Sequence, residues 1–170
     1  MLDLQQTVDH VLLLAERSGL KEVDALIERD EALEVEIRDG KVEKVEQSTS
    51  LGLGVRVLRD GKTGLASTER LDVSAIERAF QSALENSDLQ DPTEVVLPEA
   101  TNGLADPESL GTYNSDLEKL TSKDLADLGL AIEASAKNAD DRISTIPYLG
   151  ASRNSSEVLL VNSKGTRYHQ

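Results

Sequence analysis

Between residues 33 and 68 apolar and polar positions alternate along the chain. Leu33, Val35 and Ile37 alternate with Glu34, Glu36 and Arg38, and Leu51, Leu53, Val55 and Val57 alternate with Gly52, Gly54, Arg56 and Leu58. A period of two places one side of a strand on a core and the other toward water. Asp39-Gly40 and Asp60-Gly61 stand where the alternation stops, and Asp-Gly supplies the positive φ angles of tight hairpin turns. The pattern predicts an antiparallel meander with strands over residues 32–38, 41–47, 51–59 and 64–67. The second strand is irregular, because Val42 and Val45 are three apart and cannot share a face without a bulge or an early end.

Helical spacing flanks the meander. Asp3 is placed to cap a helix over residues 4–18, with Gln6 reaching back as in a capping box. Leu4, Val8, Val11, Leu12 and Ala15 fall on one face, and Gly19 ends it. Residues 23–29 read as a first strand. Ser74-Ala75-Ile76-Glu77 is a second capping-box sequence, continued by Ile76, Phe80, Ala83 and Leu84 to Asn86. Two helices on one side of a mostly antiparallel sheet would bury both apolar faces, giving an α+β fold.

Composition changes at Ser87. Pro92, Pro98 and Pro107 lie between there and Thr121, with Gly103 and Gly111, so the stretch reads as a long connector in which residues 94–97 are extended and docked. The expected organisation is an N-terminal domain over residues 1–90, a connector over 91–120 and the start of a central domain over 121–170. That last region holds a helix over residues 123–139, with Thr121 or Ser122 as cap and Leu125, Leu128, Ile132, Ser135 and Ala139 near one face. Strands are expected over 142–152 and 157–162, a turn at Asn162-Ser163-Lys164-Gly165, and a returning strand from Thr166 to His169. The chain stops one strand into that hairpin, which suggests a fragment with a truncated second α+β region.

The composition narrows function. The 170 residues carry 18 basic and 32 acidic side chains, a formal charge of −14. Such a surface repels a phosphate backbone, so direct nucleic-acid binding is not expected. There is no cysteine, which removes disulfides, thiolate metal sites and cysteine nucleophiles together and fits a cytoplasmic protein. The first twenty residues lack the basic flank and apolar run of a targeting signal. No segment approaches the roughly 20 apolar residues that span a bilayer.

Candidate chemistry is sparse. His10 and His169 are the only histidines and lie at opposite ends of the chain, a poor ligand set with no H-E-x-x-H motif, so both read as surface residues. Gly52-Leu53-Gly54 lacks the third glycine and following helix of a dinucleotide fingerprint. The two glycines read instead as places where a neighbouring chain or element approaches a strand closely. Arg56 is either a contact for an acidic group or peptide carboxylate or the partner of a glutamate on the next strand. Ser67-Thr68 follows a glycine-rich turn without a G-x-S-x-G elbow or a nearby base. Asp140-Asp141 and the acidic run of residues 28–34 lack EF-hand spacing and read as solvated surface. Gly52, Gly54, Arg56, Gly64 and Ser67 are therefore the expected substrate or partner contacts. No catalytic residue and no metal ligand is expected in this chain.

The run GLGVRVLRDGKTGLAST, preceded by GKVEKVEQS and followed by a capped helix ending in SALENS, resembles the N-terminal region of the TldD/PmbA family, the modulators of DNA gyrase. The helix of residues 123–138, then DDRIS and EVLLVNSKGT, is similar to the opening of the family's central region. The resemblance runs from Val23 to Thr166 without the connector and leans toward the PmbA (TldE) type. It implies a cytoplasmic zinc metallopeptidase system in which a TldD-type subunit carries zinc in a downstream H-E-x-x-x-H motif. That subunit pairs with a PmbA-type partner as a homo- or heterodimer that processes unfolded peptides and small proteins. No residue of this chain matches the zinc motif, so the chain is expected to be inactive alone, shaping the chamber and binding substrate or partner without a cofactor of its own. The rival expectation is a stand-alone interaction module acting on a protein target such as gyrase or an antitoxin.

Overall fold

The computed structural model describes residues 2–100 and 109–170. Residues 101–108 of the connector, with Gly103 and Pro107, lie outside the described residues. The elements run α1 (Leu4–Arg17), β1 (Glu22–Arg38), β2 (Lys41–Arg59), β3 (Lys62–Thr68), α2 (Val73–Asp88), α3 (Ser115–Glu118), α4 (Ser122–Ala139), β4 (Leu149–Asn162) and β5 (Arg167–His169). The five strands form one sheet in the order β3-β2-β1-β4-β5. β2 pairs antiparallel with β3, and β4 pairs antiparallel with β5. Asp39 and Gly40 at φ 49° and 73°, and Asp60 and Gly61 at 53° and 74°, make the two tight turns of the expected meander.

The strands are longer than the alternation suggested. The expected strands over 23–29 and 32–38 are one 17-residue strand, and those over 41–47 and 51–59 are one of 19 residues. The gap left between the latter two, Ser48 to Ser50, is bridged by continuous strand geometry. Val42 and Val45 are both exposed, consistent with the poor alternation of that stretch. Residues 143–146, expected in a strand, have no regular structure, and β4 begins only at Leu149.

The chain resolves into two compact units built of interleaved segments: Met1–Arg29, Ser50–Asp106 and Ser156–Gln170 in the first, Asp30–Thr49 and Pro107–Ser155 in the second. Long strands make this possible, because β1, β2 and β4 each contribute one end to each unit.

In the first unit α1 and α2 lie on one face of the sheet. Val8, Val11 and Ala15 of α1 and Ile76, Ala79, Phe80 and Ala83 of α2 pack with Val23, Ala25, Ile27, Leu53, Val55 and Val57. Each Val, Leu, Ile or Phe among them contributes roughly 1.5–3 kcal/mol by leaving water, and each alanine less. α1 carries the expected capping box, with Asp3 accepting from the Gln6 N–H and Gln6 accepting from the Asp3 N–H. α2 is capped differently from its sequence signature: Asp72 accepts from the Ala75 N–H, and Ser74 lies inside the first turn. The Ser74 hydroxyl, the Ala75 N–H and Arg70 together hold the Asp72 carboxyl down to about 2. The beginning of the connector is docked on this unit, as its sequence suggested. The Thr93 N–H donates to the Gly61 carbonyl, Leu97 is buried, and Asn162 Nδ2 donates to the Pro98 carbonyl.

In the second unit α4, capped by Thr121 with Asp124 in a capping box, packs on β1. The inward residues are Leu125, Gly129 and Glu133. Leu128 and Ile132, expected to face the core, are 52% and 46% exposed. The helix is turned so that its smallest residue meets the sheet. A Cβ on Gly129 would lie 2.7 Å from Ile37 Cγ1, so the helix backbone sits close against β1.

Glu133 is only 2% exposed yet ionised. Its Oε1 lies 2.6 Å from Lys137 Nζ, and its Oε2 accepts from the Gly40 N–H at 2.8 Å, tying the helix to the β1–β2 turn. Lys137 first, and the Gly40 N–H second, hold its carboxyl below the ordinary glutamate value of 4.5. A depressed folded value contributes stability above the unfolded value and loses it as pH falls through the folded one. The second unit should therefore weaken as pH drops below about 4.5. Glu133→Gln should lower the urea midpoint at neutral pH and flatten that acid limb, read by urea titrations across the acid range.

Candidate functional site

The register of β2 and β3 sorts the five expected contacts. Gly54 stands opposite Ser67, Arg56 opposite Leu65, and Val57 opposite Gly64. Gly52, Gly54, Arg56 and Ser67 therefore share the face turned away from α1 and α2, and Gly64 lies on the helix-covered side. A Cβ on Gly64 would fall 1.8 Å from the Ala83 carbonyl oxygen and 2.5 Å from the Ser87 nitrogen, both on α2. Gly64 is thus a packing requirement. Gly52 has no atom within 4 Å of a built Cβ, and Gly54 only the Leu26 carbonyl at 3.9 Å.

Arg56 pairs with Asp24 of β1, an aspartate where a glutamate was expected. Its Nε donates to Asp24 Oδ2 at 2.9 Å and its Nη2 donates to the same oxygen. Asp24 is 7% exposed, while the Arg56 side chain keeps 36%. Leu26 and Leu65 stand on the same open face, 40% and 62% exposed. The alternation of residues 23–29 could have shown that Asp24, Leu26 and Glu28 share that face. Which strand lay beside β2 was not visible locally.

Ser67 is exposed at the edge strand. His10, on α1, is mostly buried rather than on the surface, with Nε2 3.9 Å from a Glu77 oxygen on α2. His169 is exposed, with Nε2 2.9 Å from Glu157. Among the described residues no three His, Asp or Glu side chains gather closely enough to hold a metal. A cleft of about 500 Å³ in the first unit is lined by Gly19, Lys21, Glu22, Leu58, Arg59 and Asp60, among others. In its lining Arg59 is engaged by Asp88 and Glu22 by Lys164. The arrangement can hold and contact other groups. Among the described residues no helix is long and apolar enough to cross a membrane.

Comparison with known proteins agrees with this geometry. Residues 23–87 match domain 1 of the PmbA/TldA metallopeptidases, and residues 115–170 match their central domain. The chain is 31% identical over 158 residues to a metalloprotease PmbA homolog of Haemophilus influenzae, covering 90% of this chain and 33% of that protein. It is 30% identical over 146 residues to metalloprotease PmbA of Escherichia coli O157:H7, covering 82% and 31%. It spans about one third of the length of these curated relatives. In structure it is similar to a protein named a modulator of a DNA gyrase from Thermotoga maritima, with a TM-score of 0.85 and 22% identity over 98% of this chain and 36% of that one. It is also similar to TldE from Thermococcus kodakarensis, with a TM-score of 0.82 and 17% identity over 96% and 36%. With the first and central domains matched in order, and the same fold in both solved structures, the chain belongs to the TldD/PmbA family.

Proposed function

We propose that this chain is the non-catalytic N-terminal portion of a PmbA-type subunit in a cytoplasmic peptidase complex that processes unfolded peptides and small proteins. One observation supports the reading: the chain matches the family's first and central domains in order. In this reading the zinc belongs to the C-terminal part of a TldD-type partner subunit, and this portion walls the chamber and contacts substrate or partner. The strand order supports a way of contacting substrate, since β3 is an edge strand and an extended peptide can add to such an edge through main-chain hydrogen bonds. The charge of −14 supports a protein rather than a nucleic-acid ligand.

The purified chain should bind no stoichiometric zinc and should leave an unfolded peptide intact, as read by elemental analysis and by mass spectrometry of the peptide. One zinc per chain, or turnover, would overturn the reading. The gyrase-modulator name of the Thermotoga maritima protein favours a second reading, a stand-alone module acting on a protein target. Binding to purified gyrase without any partner subunit would select it.

A further inference from the structure

We infer that Asp60 is a site of spontaneous isoaspartate formation, and that Asp39, set in an identical tetrapeptide, is shielded from the same modification by Glu133. The chain contains Arg-Asp-Gly-Lys twice, at residues 38–41 and 59–62. Each copy makes a tight hairpin turn with nearly the same backbone, φ 49° and 73° at Asp39 and Gly40, 53° and 74° at Asp60 and Gly61. All four residues are exposed. Local sequence and starting conformation are therefore matched, and only the surroundings differ.

The modification begins when the glycine backbone nitrogen attacks the aspartate Cγ. A new C–N bond forms, the amide proton leaves with a carboxyl hydroxyl as water, and a succinimide ring results. Water then opens the ring. Cleavage at the α-carbonyl leaves the chain running through the former side-chain carbonyl, an isomer of unchanged mass that needs no oxidant or reductant. The attacking nitrogen is the atom that the two turns treat differently. The Gly40 N–H donates to Glu133 Oε2 at 2.8 Å, and Glu133 is too well buried for water to take its place. Lys137 Nζ lies 3.8 Å from Asp39 Oδ1, an attraction that the carboxyl must give up to turn onto its own backbone. At the other turn the Gly61 N–H has no acceptor, and the Asp60 carboxylate no ion pair, among the described residues. The contacts there fall on the far side of Gly61, where the Thr93 N–H donates to its carbonyl at 2.6 Å. They leave the nitrogen free, and they give the modification a consequence. A β-linkage adds a backbone carbon to the turn that holds Arg59 opposite Lys62, so the Gly61 carbonyl is carried off Thr93 and the start of the connector loses an anchor.

Ageing the whole chain at neutral pH tests this. Cleavage after glutamate separates the two sites into fragments 37–43 and 47–69, and electron-transfer fragmentation distinguishes the β-linked from the α-linked isomer in each. In the folded chain isoaspartate should accumulate at Asp60 about tenfold faster than at Asp39, the factor that losing a hydrogen bond to a charged acceptor implies. In urea the two rates should converge, because the tetrapeptides are the same. Glu133→Ala should raise the rate at Asp39 toward that at Asp60 while leaving Asp60 unchanged. A rise at both sites would mean that the variant has unfolded, and the folded and urea-denatured wild-type chains then decide alone. Equal rates at the two sites in the folded wild-type chain, or a faster rate at Asp39, overturn the inference, as does a folded Glu133→Ala chain whose Asp39 stays slow. None of these results bears on zinc content or peptide turnover, so the proposed function stands or falls separately.

Discussion

Gly64→Ala should destabilise this protein strongly, because it has the closest built-Cβ contact among the described glycines. The new carbon would lie 1.8 Å from the Ala83 carbonyl oxygen, 2.5 Å from the Ser87 nitrogen and 2.9 Å from the Ser87 Cβ. Two of these atoms belong to the backbone of α2, so no rotamer change relieves the clash. The helix must lift from β3, loosening the core under Ile76, Phe80 and Ala83. Overpacking costs about 1–3 kcal/mol where side chains can yield, and more where they cannot. A loss of about 3 kcal/mol lowers the thermal midpoint of a chain this size by roughly 6–12 °C. Gly52→Ala is the matched control, since its Cβ meets nothing. It should be neutral or stabilising by about 0.4–1 kcal/mol, because alanine narrows the unfolded ensemble. Urea unfolding of the two variants side by side decides the matter. Equal stabilities would mean that α2 does not lie on β3 as described.

Arg56→Leu carries the second large effect. It leaves Asp24, 7% exposed, with its carboxylate stripped of both guanidinium hydrogen bonds. Breaking an enclosed pair from one side costs about 3–5 kcal/mol, mostly through the charge left behind. Arg56 is about one-third exposed, so water can partly replace it and about 2–3 kcal/mol is expected. The reverse change should be milder, because a lone Arg56 can turn to solvent. Replacing both Asp24 and Arg56 with leucine should recover most of the loss, since no buried charge then remains. A double-mutant cycle measured at concentrations where the chain is monomeric reads the coupling directly. Additive single effects would show that the pair contributes nothing to folding.

These expectations come from features that differ in how far the sequence exposed them. The two Asp-Gly turns and the α1 capping box were legible because each depends on neighbours within four residues. The α2 cap was half legible: Ser74 and Glu77 have the right spacing, but Asp72 two residues earlier is the residue that turns its side chain onto the helix end. The inward face of α4 was misread, since Leu128 and Ile132 look like core while close packing on Ile37 selects Gly129 instead. For the candidate contacts, alternation showed that Gly52, Gly54 and Arg56 share a face. Nothing local separated them from Gly64.

The amino-acid sequence by itself determined α1, α2 and α4, the hairpin turns, the α+β class and the family, because capping, turn chemistry and period are properties of short stretches. Only the tertiary structure decided which strand lies beside which, and therefore that Arg56 meets Asp24, that Glu133 reaches Gly40, and that one glycine is pressed by a helix while two lie open. Those facts depend on residues 32, 93 and about 20 positions apart in the chain. Such pairs are brought together by burial of the whole apolar surface rather than by any preference of the residues between them.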